Sequence, residues 1–143
     1  MNNITKRDAH IARIMRQIAR KNFERWSEKL IKGEYEKIAE LYSEEATFFP
    51  TFSGEYLKGR KEIERYFRYF MEKNPAIRIK RGVVQLFGSD SYLYSGIYVI
   101  DHVYHVGKRK IEEARFSIFW ERINGVWQIS HHHSSLKPNK KTH

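Results

Sequence analysis

The residues whose type could do acid–base or metal chemistry are three consecutive histidines, at positions 131–133. They lie in the run VWQISHHHSSL, which directly follows Asn124-Gly125. An Asn-Gly pair favours a two-residue hairpin turn because both residues tolerate positive φ. The sequence therefore predicts that residues 126–136 form a strand that pairs with a strand over 111–123.

The turn also predicts which side chains of this hairpin share a face. In the register that it sets, Ile118 pairs with His131 and Phe116 pairs with His133. Side chains alternate between the two faces of a strand. One face is thus predicted to carry Phe116, Ile118, Trp120, Trp127, Ile129, His131 and His133. Two histidines on an otherwise apolar face are the candidate catalytic residues.

His131 and His133 could serve three purposes. They could be hydrogen-bonded histidines of the core, or the polar floor of an aromatic cavity in which a neutral imidazole acts as a general base. They could also bind zinc, since two histidines at i and i+2 of a strand can share one ion. A zinc site needs a third ligand that the sequence does not place, so we predict neither a metal nor a cofactor.

Aromatic side chains are abundant, with 3 Trp, 9 Tyr and 9 Phe, and they suit a pocket or an interface as well as a core. Tyr98 and Arg115 are candidates to stabilise an oxyanion or to anchor a ligand. The predicted register, however, puts Arg115 on the face opposite to the two histidines. The predicted ligand-binding residues are Trp26, Tyr42, Phe49, Tyr98, Arg115 and Trp120.

The elements that must position these residues are three helices followed by strands. Apolar residues recur every three or four positions in three segments, and this spacing predicts a helix in each. The segments are 6–32, EYEKIAELY and 60–73. Short strands are predicted around 46–52 and between Gly54 and Gly59, and long strands over 77–88, 91–104, 111–123 and 126–136. This order predicts an α+β fold, with three N-terminal helices packed on a curved antiparallel sheet. We expect a single domain over 1–143, with flexible ends at 1–9 and 138–143.

The charge and the cysteine count narrow the function classes. The net charge is +10 and there is no cysteine, which excludes thiol catalysis and thiolate metal sites. Residues 1–21 carry six Lys or Arg against one Asp, so much of the excess lies at one end. A bare basic end could bind nucleic acid or an anionic surface, but charge alone is weak evidence for either, and we do not predict nucleic-acid binding. Without a membrane-spanning segment or a secretory signal, we expect a cytoplasmic protein with no membrane partner.

Four segments together resemble the NTF2-like superfamily: WSEKLIKGEYEKIAELYSEEATFFPT, LKGRKEIERYFRYFMEKNP, SYLYSGIYVI and ARFSIFWERINGVWQISHHHSS. More narrowly, the chain is similar to the calcium/calmodulin-dependent protein kinase II association domain and to SgcJ/EcaC-type, SnoaL-like stand-alone proteins. His131 and His133 match paired histidine positions, and Arg115 matches an Ala-Arg-aromatic pattern of the stand-alone proteins. The two pocket arginines of the kinase domain fall on Tyr98 and Ile118, which departs from its pattern.

The resemblance implies a cone-shaped fold, a deep pocket between sheet and helices, and a homodimer through the outer face of the sheet. In the kinase the same unit builds larger rings. Two functions follow as expectations. The first is binding of an unknown small molecule in an aromatic- and His-lined pocket, as in a ketosteroid-isomerase-like enzyme. The alternative is a non-catalytic oligomerisation module, with Phe119 and Tyr94 as candidate contact residues; the fold alone does not decide between them.

Overall fold

The structure of the chain, a computed structural model, describes residues 5–139. Three helices are present, as predicted: α1 (Lys6–Ile31), α2 (Tyr35–Ala39) and α3 (Arg60–Met71). The first begins with a capping box, in which the Thr5 side chain accepts a hydrogen bond from the Asp8 backbone amide. Helix α1 therefore starts within the stretch expected to be a flexible end. Of the two stretches predicted to be flexible, residues 1–4 and 140–143 lie outside the described residues.

Six strands form one curved sheet: β1 (Tyr42–Phe49), β2 (Leu57–Lys58), β3 (Ala76–Leu86), β4 (Ser91–His105), β5 (Lys108–Ile123) and β6 (Val126–Leu136). Their order across the sheet is β2-β1-β6-β5-β4-β3. The sheet is mixed, because β1 runs parallel to β6 while the other pairs are antiparallel. The expected curved sheet is thus confirmed, with one parallel pairing where an antiparallel sheet was predicted. This pairing joins two strands far apart in the sequence.

The core lies between the helices and the inner face of the sheet. Each helix contributes an apolar stripe, for example Trp26 and Leu30 from α1 and Phe67 from α3, all of them at most 1% exposed. The inner face supplies the alternate residues of the long strands, such as Tyr98 and Trp120. Burying a large apolar side chain contributes about 1.5–3 kcal/mol each, so this layer supplies most of the driving force for folding.

Two glycines allow β3 to pass close to β4 where the sheet bends. Gly82 lies opposite Gly96, next to an irregularity in the register between Ile79 and Arg81. A Cβ on Gly96, whose φ is +157°, would lie 1.9 Å from the carbonyl oxygen of Arg81. A Cβ on Gly82 would lie 2.5 Å from the ring of Tyr94. Only glycine fits either position without a shift of backbone or ring.

Gly96→Ala should therefore destabilise the fold by more than about 2 kcal/mol, because the methyl group would force β3 away from β4. Denaturant unfolding monitored by circular dichroism measures this loss. Gly54→Ala is the matched control, since its Cβ would enter open space, and it should change stability by less than about 0.5 kcal/mol. Equal losses in the two variants would contradict the steric account of the bend.

Candidate functional site

A β-bulge in the last hairpin decides which histidine faces the interior. The turn at Asn124-Gly125 forms as predicted, and pairing is regular up to Trp120 opposite Ile129. The register then shifts, so that Phe119 pairs with His131 and Ile118 pairs with His132. The hydroxyl of Ser130 at the shift donates to the Phe119 carbonyl over 3.3 Å. One extra residue in β6 reverses the facing of every residue after it.

The predicted placement of His131 and His133 on the inner face is therefore wrong, and His132 takes that place. His132 is 1% exposed, whereas His131 is half-buried and His133 is exposed on the outer face. The apolar part of the predicted face, which precedes the bulge, is confirmed for Phe116, Ile118, Trp120, Trp127 and Ile129.

His132 is the centre of a buried chain of hydrogen bonds. The indole nitrogen of Trp26 donates to the Tyr42 hydroxyl over 3.1 Å, and that hydroxyl lies 2.8 Å from Nδ1 of His132. On the other side, Nε2 of His132 lies 3.3 Å from the Tyr98 hydroxyl, which donates to Oγ of Ser134 over 2.5 Å. The chain continues from Ser134 to the hydroxyl of Thr51.

The direction of these bonds specifies the tautomer of His132. Tyr42 already accepts from Trp26, so its single hydrogen is available for Nδ1. Tyr98 donates its hydrogen to Ser134, so it accepts from Nε2. His132 is thus a neutral imidazole that carries its proton on Nε2. Both ring nitrogens are engaged, and no lone pair is left for a substrate.

Burial keeps the residues of this hydrogen-bond chain uncharged. Burial, and to a lesser extent the neighbouring His131 and His133, lower the pKa of His132 to about 3. Burial also raises the pKa values of the Tyr42 and Tyr98 hydroxyls above their usual range. The Phe48 ring stacks on the His132 ring at a centroid distance of 4.4 Å, which helps to exclude water. At neutral pH these residues stabilise the fold as neutral donors and acceptors.

The interior pocket expected from the sequence is filled by side chains at the predicted positions. Trp26, Tyr42, Tyr98 and Trp120 are 0–1% exposed. They contact one another and their neighbours instead, as in the stacking of Trp120 on Tyr92. A cleft of about 820 Å³ lies between α1 and β3, and none of these four residues is among its lining residues.

The other predicted site residues come together on the outer face. Nδ1 of His131 lies 2.7 Å from the Thr47 hydroxyl, and the Phe49 ring lies 5.0 Å from the His133 ring. Burial, followed by the proximity of His133, lowers the pKa of His131. Arg115 is exposed on this same face, because the bulge brings both histidines to its side. The conflict between Arg115 and the predicted register is thereby removed.

Ten residues in two rows across the outer face form what we term the charge-free face. The first row consists of Val83, Ser95, Ser117, His133 and Phe49, and the second of Gln85, Leu93, Phe119, His131 and Thr47. None is Asp, Glu, Lys or Arg, although 31% of the whole chain is charged. Lys58 ends the second row at the edge of the sheet. The expected contact residue Phe119 belongs to this face.

Tyr94, the other expected contact residue, lies instead on the inner side. Its ring contacts Phe23 at 6.2 Å and Phe116 at 5.6 Å. Its placement there follows from the register, in which Tyr94 pairs with the inward-facing Ile118. Tyr94 therefore packs against the core and is not available to a partner on the outer face.

Sequence reasoning missed three members of the buried chain: Thr51, His132 and Ser134. Ser134 follows His132 at i+2 of the same strand, so the correct register would have found it. Thr51 comes from the loop after β1, and its contact depends on the parallel pairing of β1 with β6.

Two further observations concern metal ions and membranes. Among residues 5–139, no three side chains of His, Asp or Glu lie close enough together to hold a metal ion. The buried His102 pairs with the Glu112 carboxylate over 2.6 Å. No helix in the described part of the chain is long and apolar enough to cross a bilayer.

Comparison with known proteins identifies relatives of this chain in sequence and in fold. A sequence model of the calcium/calmodulin-dependent protein kinase II association domain matches residues 15–138. A putative association domain of this kind from Xanthomonas campestris is 34% identical, with 87% of this chain and 88% of that chain covered and a TM-score of 0.82. A search of curated protein sequences gave no match.

More distant solved structures are similar in fold. An NTF2-like protein with a cystatin-like fold from Novosphingobium aromaticivorans is 18% identical, with 99% and 94% of the chains covered and a TM-score of 0.75. The association domain of the Caenorhabditis elegans kinase is 16% identical, with 86% and 96% covered and a TM-score of 0.70. These likenesses confirm the expected NTF2-like architecture.

Proposed function

Because the chain belongs to the family of the calcium/calmodulin-dependent protein kinase II association domain, we propose that it is a non-catalytic self-association module. In this proposal two copies contact each other through the charge-free face of the sheet. A dimer is the smallest assembly that covers this face, and larger rings would need a further contact.

The single observation that carries the proposal is the composition of the charge-free face. The buried centre of a protein interface is depleted of charged residues, because each charge would have to lose its hydration. Here that depletion extends over ten residues on an open face of the sheet. Val83 is 51% exposed and Phe49 is 39% exposed, so apolar surface remains to be covered.

The surroundings of the face support the same reading. The next row across β3, β4 and β5 contains Arg81, Ile97 and Arg115, so charges return at the border. A centre depleted of charged residues inside a polar, charged rim is the usual arrangement of an interface between proteins. In this proposal His131 and His133 belong to the contact surface and not to a catalytic site.

The packed interior argues against the pocket-based alternative. A ketosteroid-isomerase-like reaction needs a base with a free lone pair beside space for a substrate. His132 has both nitrogens engaged, and its hydrogen-bond partners Tyr42 and Tyr98 are 0–1% exposed. We therefore do not propose catalysis in the interior of the cone.

Sedimentation velocity over a wide range of protein concentration tests the proposal. The expected result is a dimer or a larger closed assembly that persists at micromolar concentration. Light scattering coupled to size exclusion gives the copy number independently. A chain that stays monomeric throughout this range would rule out self-association as its function.

A further inference from the structure

The first nine residues of α1, residues 6–14, form a segment that is largely exposed to solvent. We term it the α1 extension. No residue of the extension is buried, and the first buried position of the helix is Met15. The match to the association-domain family begins at residue 15, so the extension precedes the matched region. The capping box at Thr5 and Asp8 nonetheless holds it helical.

The extension and the turn after it are strongly basic. Lys6, Arg7, Arg13 and Arg16 are exposed, and none forms an ion pair within residues 5–139. Asp8 is the single carboxylate in this stretch, and it is used in the capping box. Four unpaired cations on a pre-formed helix create a local positive potential that attracts anionic surfaces.

Apolar side chains are exposed among these cations. Ile11 is 38% exposed and Ile14 is 40% exposed, and Ile18 follows one turn later, half-buried. Positions 11, 14 and 18 lie on one side of a helix. The isoleucines would gain from leaving water, so the extension presents both apolar and cationic groups to a partner.

From these features we infer that the α1 extension is a peripheral docking site for an anionic lipid bilayer. A helix with an apolar stripe and flanking Lys or Arg lies in the plane of a membrane surface, where the headgroups meet the cations and the acyl boundary receives the apolar side chains. Nucleic acid would pair with the cations but would leave Ile11 and Ile14 uncovered. A surface contact of this kind needs no membrane-spanning helix, and the described residues contain none.

This inference goes beyond self-association and does not depend on it. A multimer would nevertheless bring several extensions to one surface and increase their combined affinity. Each contact can therefore be weak by itself and still hold an assembly at the membrane.

The test uses the full chain and flotation with two kinds of vesicle. One kind contains phosphatidylcholine alone, and the other contains phosphatidylcholine and phosphatidylserine at about 7:3, so that its surface is anionic. The chain should float with the anionic vesicles alone, and added salt should release it. Failure to bind the anionic vesicles at low salt would overturn the inference.

Two double variants separate the contributions of charge and apolar surface. Arg13→Glu with Arg16→Glu should weaken binding to anionic vesicles at least about tenfold. Ile11→Ser with Ile14→Ser, which keeps every charge, should weaken it about fivefold or more. If the isoleucine variant bound as tightly as the wild type, the lipid assignment would be wrong.

Matched controls exclude an effect of net charge or of misfolding. Lys61→Glu with Lys108→Glu makes the same change in net charge at exposed positions remote from the extension, and it should bind like the wild type. Equal weakening by this control would overturn the assignment to the extension. Circular dichroism and sedimentation of each variant report on fold and assembly separately. Tighter binding to duplex DNA than to vesicles, unaffected by the isoleucine variant, would assign the extension to nucleic acid instead.

Discussion

Ser117→Arg should convert the associated protein into monomers, with the dissociation constant raised at least about a hundredfold. Ser117 lies on β5, in the middle of the first row of the charge-free face, between Ser95 and His133. An arginine there would have to be buried without a partner charge when two copies meet. Burying an unpaired charge costs about 3–5 kcal/mol, which corresponds to this change in affinity. Sedimentation velocity of wild type and variant at equal concentration measures the shift.

The same substitution elsewhere controls for the arginine itself. Val106 is 91% exposed in the turn between β4 and β5, away from the charge-free face. Val106→Arg should associate like the wild type. Thermal unfolding of both variants checks that the monomer is still folded, as expected for a half-exposed position. If Ser117→Arg sedimented like the wild type, the interface would have to lie on another surface.

Acidification from pH 6.5 to pH 3 should remove several kcal/mol of stability through His132 alone. Its pKa is about 3 in the folded protein, against about 6.5 in an unfolded chain. Between these values the unfolded chain binds one more proton than the folded chain, so stability falls as the pH is lowered. The stabilisation is complete above pH 6.5 and is lost progressively toward pH 3. The total approaches 4–5 kcal/mol, to order of magnitude.

A comparison of variants isolates this contribution from those of other groups. His132→Gln removes the titration but retains an amide that can donate and accept hydrogen bonds. Its stability should therefore depend less steeply on pH than that of the wild type over this interval. His105→Gln, at an exposed position at the end of β4, is the control and should follow the wild type. Parallel curves for the wild type and His132→Gln, from denaturant unfolding at equal protein concentration, would disprove the account.

The buried chain around His132 and the charge-free face have complementary roles. The first connects α1, β1, β4 and β6 through Trp26, Tyr42, Tyr98 and His132. It therefore fixes how the helix and three strands are placed relative to one another. Satisfied polar groups of this kind specify a unique packing, because any shift would leave a buried donor or acceptor unpaired. A rigid sheet in turn presents its outer face to a partner at low entropic cost.

The local pattern of the sequence was sufficient to predict the helices, the Asn124-Gly125 turn and the apolar half of the hairpin face. Each of these depends on neighbours in the chain: the spacing of apolar residues, a capping pair and a pair of residues tolerant of positive φ. The resemblance carried by the segments around them predicted the NTF2-like fold correctly. It could not distinguish a pocket from an interface, because the same fold accommodates both.

Tertiary structure alone decided which histidine is buried. Three identical residues in a row carry no alternation of polarity, so their pattern is the same in either register. The choice is made by the bulge at Ser130 and by partners from distant segments: the Tyr42 hydroxyl for His132 and the Thr47 hydroxyl for His131. When His132 is buried, both of its ring nitrogens form hydrogen bonds. The alternating pattern of the sequence reflects only the burial of apolar side chains, so it does not show this preference. The roles of the inner and outer faces thus follow from hydrogen bonds that exist only once β1 lies beside β6.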